Sequence, residues 1–285
     1  MCRFVLYQGP PLALGSLVVD PANSIIKQSL RARETDDPLN GDGFGVAWYA
    51  PDMSAEPATF RSFTPAWSNR NLLELARVTK SGCILAHVRA ATPGLPISEL
   101  DCHPFTAGPY SMMHNGDLGG FRQMRRQIIS GLSDRAFDAV HGGTDTEHLF
   151  AMVLDRLWSS SSRGSAEHLT DALTSAVKDV LALSRRVGVK DESYLNIALS
   201  DGNRSVALRF TTADPSHASS LYFHTGRRYI CEGTVCRMVE PEHGQGTAIV
   251  CSEPLSDDPG WQKVPVNHLV VVHDDRTTEL RPISA

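Results

Sequence analysis

The sequence predicts an α+β fold in which two antiparallel sheets pack between helical layers. Strand-like segments occupy both ends of the 285-residue chain, and two long segments of helical periodicity separate them. Because neither a repeat nor a change of composition divides the chain, we expect residues 1–285 to form a single domain.

Strands are expected throughout the first 114 residues. Alternating or continuously apolar segments predict five strands, at residues 3–8, 43–50, 59–64, 83–91 and 110–114. The fourth strand delivers the polar side chain of Arg89 near its end. The fifth runs into His114-Asn115-Gly116, which is a turn signal.

Helical periodicity is clearest over residues 144–158, where apolar residues share one face and Thr144 with Glu147 matches a capping box. A second helix is expected over residues 165–187, and its apolar stripe favours a buried face over a partner-binding surface. The Ser-rich stretch at 159–165 is typical of a flexible loop.

From Ser193 onward the chain is almost entirely strand. Seven strands are expected, at residues 194–200, 204–211, 221–230, 235–240, 247–252, 266–273 and 277–283. Polar turns such as Asp201-Gly202-Asn203 and Asp274-Asp275 separate them.

The charge balance argues against a nucleic-acid-binding protein, since 27 basic and 32 acidic residues leave a net charge of -5 where a dense basic face is needed. No apolar stretch approaches the roughly 20 residues that cross a bilayer. The N-terminal segment lacks the cleavage site of a signal peptide. We therefore expect a cytoplasmic protein that binds neither nucleic acid nor membrane.

Six cysteines are expected to remain thiols in that compartment. They are Cys2, Cys83, Cys102, Cys231, Cys236 and Cys251. The spacing of Cys231 and Cys236 matches neither a redox motif nor a zinc knuckle. All but Cys2 are interpreted as small buried apolar residues.

Cys2 differs because removal of Met1 makes it the N-terminal residue. Methionine aminopeptidase removes Met1 when the next side chain is small, and cysteine qualifies. The product carries a thiol and an α-amino group on one residue. An α-amino pKa of about 7.7–8.0 suits a base for that thiol near neutral pH, so Cys2 is the candidate nucleophile.

Several short segments, in order and spacing, resemble class II glutamine amidotransferases, which are N-terminal nucleophile (Ntn) hydrolases. They are residues 1–4, 40–49, 86–94, 114–116 and 144–147. Over nearly its whole length the chain looks similar to stand-alone γ-glutamyl amidohydrolases of the Dug-type glutathione-degradation and ergothioneine pathways. The resemblance implies a four-layer αββα sandwich, and we expect no metal or other cofactor.

The chemistry of a γ-glutamyl substrate explains these residue types. Arg89 offers a planar fork for the α-carboxylate, and Asp145 at a helix start offers a fixed anion for the α-amino group. The resemblance assigns the oxyanion hole to the side-chain amide of Asn115 and the backbone N–H of Gly116. Thr92 is expected to contact the substrate carboxylate.

Simpler interpretations compete for three of these positions. Arg89 could be a surface ion-pair partner, Asp145 a helix cap, and Asn115-Gly116 a plain hairpin turn. Contacts made by a Trp and a His in the classical synthases cannot be carried over, because Ala90 and Pro93 stand at those positions.

Two other patterns predict no ligand site. Residues 41–43 lack the strand–loop–helix context and the lysine of a phosphate loop. His87, His103 and His114 lack a metal-binding spacing and are expected to be structural.

Three functions stay open, namely hydrolysis of a γ-glutamyl amide, a glutaminase subunit that feeds ammonia to a separate synthase, and a non-enzymatic binding protein. The first is favoured over the second because the residues after 193 are expected to form strands rather than an acceptor domain. The complete set of candidate site residues disfavours the third. The expected partner is a small γ-glutamyl substrate, and the assembly stays open between a homo-oligomer and a complex with a metallopeptidase.

Overall fold

The computed structural model describes residues 1–91, 97–160, 164–239 and 246–283. The strands are β1 (Arg3–Ala13), β2 (Phe44–Trp48), β3 (Ala58–Ser62), β4 (Lys80–Val88), β5 (Phe105–Ala107), β6 (Tyr110–Asp117), β7 (Tyr194–Ser200), β8 (Ser205–Thr211), β9 (Tyr222–Gly226), β10 (Arg228–Glu232), β11 (Val235–Val239), β12 (Thr247–Cys251), β13 (Gln262–Lys263), β14 (His268–Val272) and β15 (Thr278–Pro282). The helices are α1 (Gly15–Val18), α2 (Ile25–Leu30), α3 (Arg70–Val78), α4 (Phe121–Ser130), α5 (Asp134–Phe137), α6 (Asp145–Ser159) and α7 (Ala166–Val187).

The strands form two large antiparallel sheets and one hairpin. The first sheet has the order β13-β9-β12-β1-β4-β2-β3, and the second has the order β15-β14-β8-β7-β6-β5. The hairpin consists of β10 and β11. Strand β1 lies inside the first sheet, where Val5 pairs with Cys251 of β12 on one side and with Ala86 of β4 on the other.

Alternation along β1 explains how the layers stack, because successive side chains point to opposite faces of a sheet. Phe4 and Leu6 join Met113 and Val270 of the second sheet in a buried cluster between the two sheets. Val5 and Tyr7 point the other way, into a cluster shared with α1, α2 and α3. The outer face of the second sheet packs on α4, α6 and α7. The four-layer αββα prediction is therefore confirmed.

Both long helices form where the periodicity indicates. Thr144 precedes α6, and its hydroxyl accepts a hydrogen bond from the Glu147 backbone N–H at 3.2 Å. The capping box is only half present, because the Glu147 carboxylate instead accepts from the N–H groups of His141 and Gly142. Ser165 caps α7. The expected flexible loop at 159–165 falls partly outside the described residues.

The turn predicted at Asn115-Gly116 is wrong. Strand β6 continues to Asp117, and Asn115 and Gly116 pair with Asn196 and Leu195 of β7. Two residues that favour turns remain in a strand here because β7, which is distant in sequence, forms the neighbouring strand. The expected strand at 221–230 is divided into β9 and β10, and the short β13 was not anticipated.

The expectation of six free thiols is also wrong. Cys231 and Cys236 form a disulfide. They lie directly opposite each other on β10 and β11, with 4.1 Å between their Cα atoms, so the hairpin brings the two sulfurs within bonding distance. The other four cysteines are thiols.

No helix within the described ranges is long and apolar enough to span a bilayer.

Candidate active site

A cavity of about 750 Å³ collects most of the candidate residues. Its lining includes Cys2 before β1, Arg89 after β4, Gly116 on β6 and Asp145 at the start of α6. Asn115 is the strand neighbour of Gly116 and is fully buried. Thr92 lies outside the described residues. The volume lies within the range of small-molecule sites, which is about 300–1,000 Å³.

Cys2 is half-buried beside the end of β4. The Ala90 backbone N–H points at its Sγ atom with an N···S distance of 3.4 Å. Burial raises the pKa of the Cys2 thiol, while the Ala90 backbone, the N-terminal charge and the guanidinium groups of Arg89 and Arg3 oppose that rise. A thiol with a raised pKa needs a base to become a nucleophile.

Arg89 is buried at 4% exposure, so it is not a surface ion-pair residue. Its Nη2 atom lies 3.9 Å from Oδ2 of the equally buried Asp101. Its Nη1 atom has no hydrogen-bond partner among the described residues. A buried guanidinium with unsatisfied donors carries a desolvation cost, which an anionic group in the cavity would offset.

The segment at 40–49 holds Arg89 in place. Gly43 accepts from the Arg89 N–H at 2.8 Å, and the Asp42 N–H donates to the Arg89 carbonyl at 3.0 Å. The Asp42 carboxylate accepts from the Ala91 N–H at 2.8 Å. Gly43 has a φ of +116°, and a Cβ there would lie 2.7 Å from Cys102 Sγ. Only glycine therefore fits this approach.

Asn115 and Gly116 stand side by side on β6. Both polar atoms of the Asn115 side chain are buried and lack a partner among the described residues. Gly116 has a φ of +152°, and a Cβ there would lie 1.7 Å from the Tyr194 carbonyl oxygen. Position 116 thus requires glycine, and the fully buried Asn115 side chain leaves its hydrogen-bonding capacity unused among the described residues. The plain hairpin-turn interpretation is excluded.

Asp145 is the first residue of α6 and not its cap, since Thr144 has that role. Its Oδ2 accepts from the Leu118 N–H at 2.8 Å, and its Oδ1 accepts from the Thr146 N–H at 2.7 Å. These two backbone donors hold the carboxylate at the cavity wall. Asp117 also lines the cavity, and burial together with the Asp145 charge raises the pKa of its carboxyl.

Of the three histidines, His103 and His114 line the cavity and His87 packs against both. His87 Nε2 lies 3.0 Å from the His114 carbonyl oxygen, and the His87 and His103 rings are 4.3 Å apart. Burial lowers the pKa of His87 to about 3 and that of His103 well below its usual range. The two rings are therefore neutral near pH 7. Across the described ranges, no cluster of three acidic, histidine or cysteine side chains could hold a metal ion.

The outer wall of the cavity was not anticipated from the sequence. Arg122, Gln123 and Arg125 of α4 line it together with Asp191. Charged side chains such as Arg125 carry no local sign of a neighbouring cavity in the sequence. Arg125 lines the same cavity as Asp145 because α4 packs beside α6.

Known proteins resemble this chain over most of its length. Residues 16–284 match the family model described as glutamine amidotransferases class-II. The chain is 36% identical to the probable glutamine amidotransferase DUG3 of Saccharomyces cerevisiae, over 99% of this chain and 84% of the yeast protein. It is 28% identical to the gamma-glutamyl-hercynylcysteine sulfoxide hydrolase of Mycolicibacterium smegmatis, over 96% of each chain.

Solved structures share the fold as well. The glutamine aminotransferase class-II domain protein from Silicibacter pomeroyi matches with a TM-score of 0.68 and 27% identity, over 100% of both chains. The structure of the allosteric regulatory enzyme of purine biosynthesis matches 100% of this chain and 49% of that one, with a TM-score of 0.62. Its identity of 13% supports the fold alone. From the family model and the yeast relative together, the chain belongs to the class-II glutamine amidotransferases, a family of enzymes.

Proposed function

We propose that this protein hydrolyses the γ-amide bond of a γ-glutamyl compound, with Cys2 as the nucleophile after removal of Met1. The supporting observation is the shared cavity, which the Cys2 thiol, the Arg89 guanidinium and the Asp145 carboxylate line together. Each group has the chemistry that one part of a γ-glutamyl substrate needs.

Recognition is assigned to the two charged side chains. The free Nη1 donors of Arg89 suit the substrate α-carboxylate, and the Asp145 carboxylate suits the α-ammonium group. Because backbone donors already orient Asp145, little side-chain entropy is lost when the substrate binds. Thr92 is retained as a further contact to the α-carboxylate.

The reaction proceeds through a glutamyl thioester. The free α-amino group of Cys2 accepts the thiol proton, and the thiolate attacks the γ-carbonyl carbon. The Asn115 amide and the Gly116 N–H stabilise the resulting oxyanion. Collapse breaks the C–N bond, and the leaving amine takes the proton from the α-ammonium group. The α-amino group of Cys2 then deprotonates a water molecule, which attacks the thioester. Glutamate is released, and the departing thiolate takes the proton back from the α-ammonium group.

A panel of γ-glutamyl compounds tests this proposal. Glutamate release is measured with glutamine, glutathione and γ-glutamyl amides of other amines, and Cys2→Ala serves as the inactive control. Release from at least one compound by the wild type, and from none by Cys2→Ala, supports the proposal. Equal release by both proteins would remove Cys2 as nucleophile.

The proposed site also bears on the domain organisation of the chain. We infer that residues 1–285 act as one domain, since Phe4 of the first sheet and Met113 of the second share a buried cluster, and the cavity is lined from both sheets. The choice between a homo-oligomer and a metallopeptidase complex stays a prediction, and so does the cytoplasmic location.

A further inference from the structure

A buried ion pair lies immediately behind the candidate nucleophile. Arg3 is fully buried, and its Nε donates to Glu253 Oε1 at 2.9 Å. The Arg3 Nη1 atom donates to the carbonyl oxygen of Cys2 at 2.8 Å. The Arg3 guanidinium group therefore joins the backbone of Cys2 to a carboxylate that lies 250 residues after Arg3 in the sequence.

Glu253 is fixed from several sides. Its carboxylate accepts from the backbone N–H groups of Arg33 and Glu34, with distances between 2.9 and 3.0 Å. The preceding residue, Ser252, exchanges hydrogen bonds with Phe4 through its Oγ and its backbone N–H, both at 3.0 Å. The segment after β12 thus immobilises the start of β1 through two successive residues.

Fold stability alone does not account for such a pair. Burying two charges costs solvation free energy that their attraction often fails to recover, and apolar replacements of similar volume are often equally stable. The pair does supply direction, because a planar guanidinium donates along fixed vectors to two acceptors at once. Here those acceptors are Glu253 and the Cys2 carbonyl oxygen, and a third, longer hydrogen bond runs from Arg3 Nη2 to the Glu34 carbonyl oxygen at 3.4 Å.

We propose that Arg3 and Glu253 are positioning residues that set the orientation of the Cys2 nucleophile. Fixing the Cys2 carbonyl fixes the peptide plane and the Cα–C axis, so the Cα–N and Cα–Cβ bonds that carry the base and the thiol keep only rotation about that one axis. Neither residue contacts the substrate in this role. The inference rests on the proposed function of Cys2.

Arg3→Lys tests the proposal while keeping the charge. A lysine ammonium can pair with Glu253 but lacks the fork that also reaches the Cys2 carbonyl. We expect kcat to fall about 100-fold, as for a misplacement of about 1 Å, with KM unchanged. Because the positive charge stays beside Cys2, the pH midpoint for alkylation of Cys2 by iodoacetamide should not move.

Arg209→Lys is the matched control. Arg209 is also buried, and it donates to the carbonyl oxygens of Ser219, Val264 and Ala218 without contacting Cys2. Loss of the guanidinium group in Arg209→Lys should lower the melting temperature but leave kcat per folded molecule near the wild-type value. Glu253→Gln leaves Arg3 in place and repeats the test if Arg3→Lys does not fold.

The outcomes separate two failures. If Cys2→Ala remains active, the proposed function fails. If Cys2→Ala is inactive while Arg3→Lys retains wild-type kcat, the positioning role alone is overturned. The positioning role is likewise overturned if Arg209→Lys loses as much kcat as Arg3→Lys, because the effect is then a general consequence of disturbing a buried arginine.

Discussion

Replacing Asn115 by leucine should keep or slightly raise stability while it sharply lowers activity. The two polar atoms of the Asn115 side chain are buried and lack partners within the described residues, so Asn115→Leu breaks no internal hydrogen bond. An unsatisfied buried polar group costs about 1–3 kcal/mol, and leucine has a similar branched shape. We therefore expect the free energy of unfolding to stay the same or to rise by about 1 kcal/mol.

The catalytic effect should have the opposite sign. Loss of one oxyanion donor costs about 2.7–4 kcal/mol of transition-state stabilisation, which is a fall of about 100- to 1,000-fold in kcat. KM should change little, because the oxyanion exists only in the transition state and the tetrahedral intermediate. Steady-state glutamate release gives kcat and KM, and urea titration gives the free energy of unfolding.

Asn196 provides the control on the paired strand. It lies opposite Asn115 and is also buried, but its amide donates to the carbonyl oxygens of Ser219 and Ser220. Asn196→Leu should therefore destabilise the protein by about 1–3 kcal/mol, because it removes the donor to the Ser220 carbonyl oxygen, while the Ser219 carbonyl oxygen still accepts from Arg209. A kcat near wild type for Asn115→Leu, or a greater destabilisation than for Asn196→Leu, would refute the reasoning.

Three further predictions concern the terminus, the substrate clamp and pH. Intact-mass measurement of active protein should show Met1 absent, and full activity with Met1 retained would exclude the α-amino base. Arg89→Lys should raise KM at least about tenfold because a point charge cannot reproduce the bidentate fork, and Asp145→Asn should do so because the substrate ammonium group loses its anionic partner. Competition between glutamine, N-acetylglutamine and an α-linked glutamyl dipeptide measures the clamp, which comparable cleavage of all three would contradict. Burial lowers the pKa of His87 to about 3, below the unfolded value of about 6.5. Between these two pH values the unfolded state binds more protons than the folded state, so stability falls as the pH drops from about 6.5 towards 3. Between about pH 7 and pH 5 the free energy of unfolding should fall in both proteins, and the fall should be about 2 kcal/mol smaller for His87→Gln than for the wild type. Equal falls in urea titrations would show that His87 does not cause the pH dependence.

Local patterns in the sequence were sufficient for the two long helices α6 and α7 and for most strands, whereas the shorter helices α1 to α5 were not predicted. The helix α6 begins after Thr144, as its periodicity and cap indicate, and α7 ends before Gly188, which has a φ of +81°. Such features depend on neighbours within one or two turns of the chain. The candidate residues Cys2, Arg89 and Asp145 could be predicted from the sequence for a similar reason, since each stands in a short motif with its own spacing.

Tertiary structure decided what those residues contact. Asn115 and Gly116 belong to a strand because β7 pairs with them, and Cys231 and Cys236 bond because β10 and β11 form a hairpin. Glu253 reaches Arg3 across most of the chain. Pairing and burial of this kind depend on packing between segments that are distant in sequence. That packing overrides the local preferences of turn residues and isolated charges.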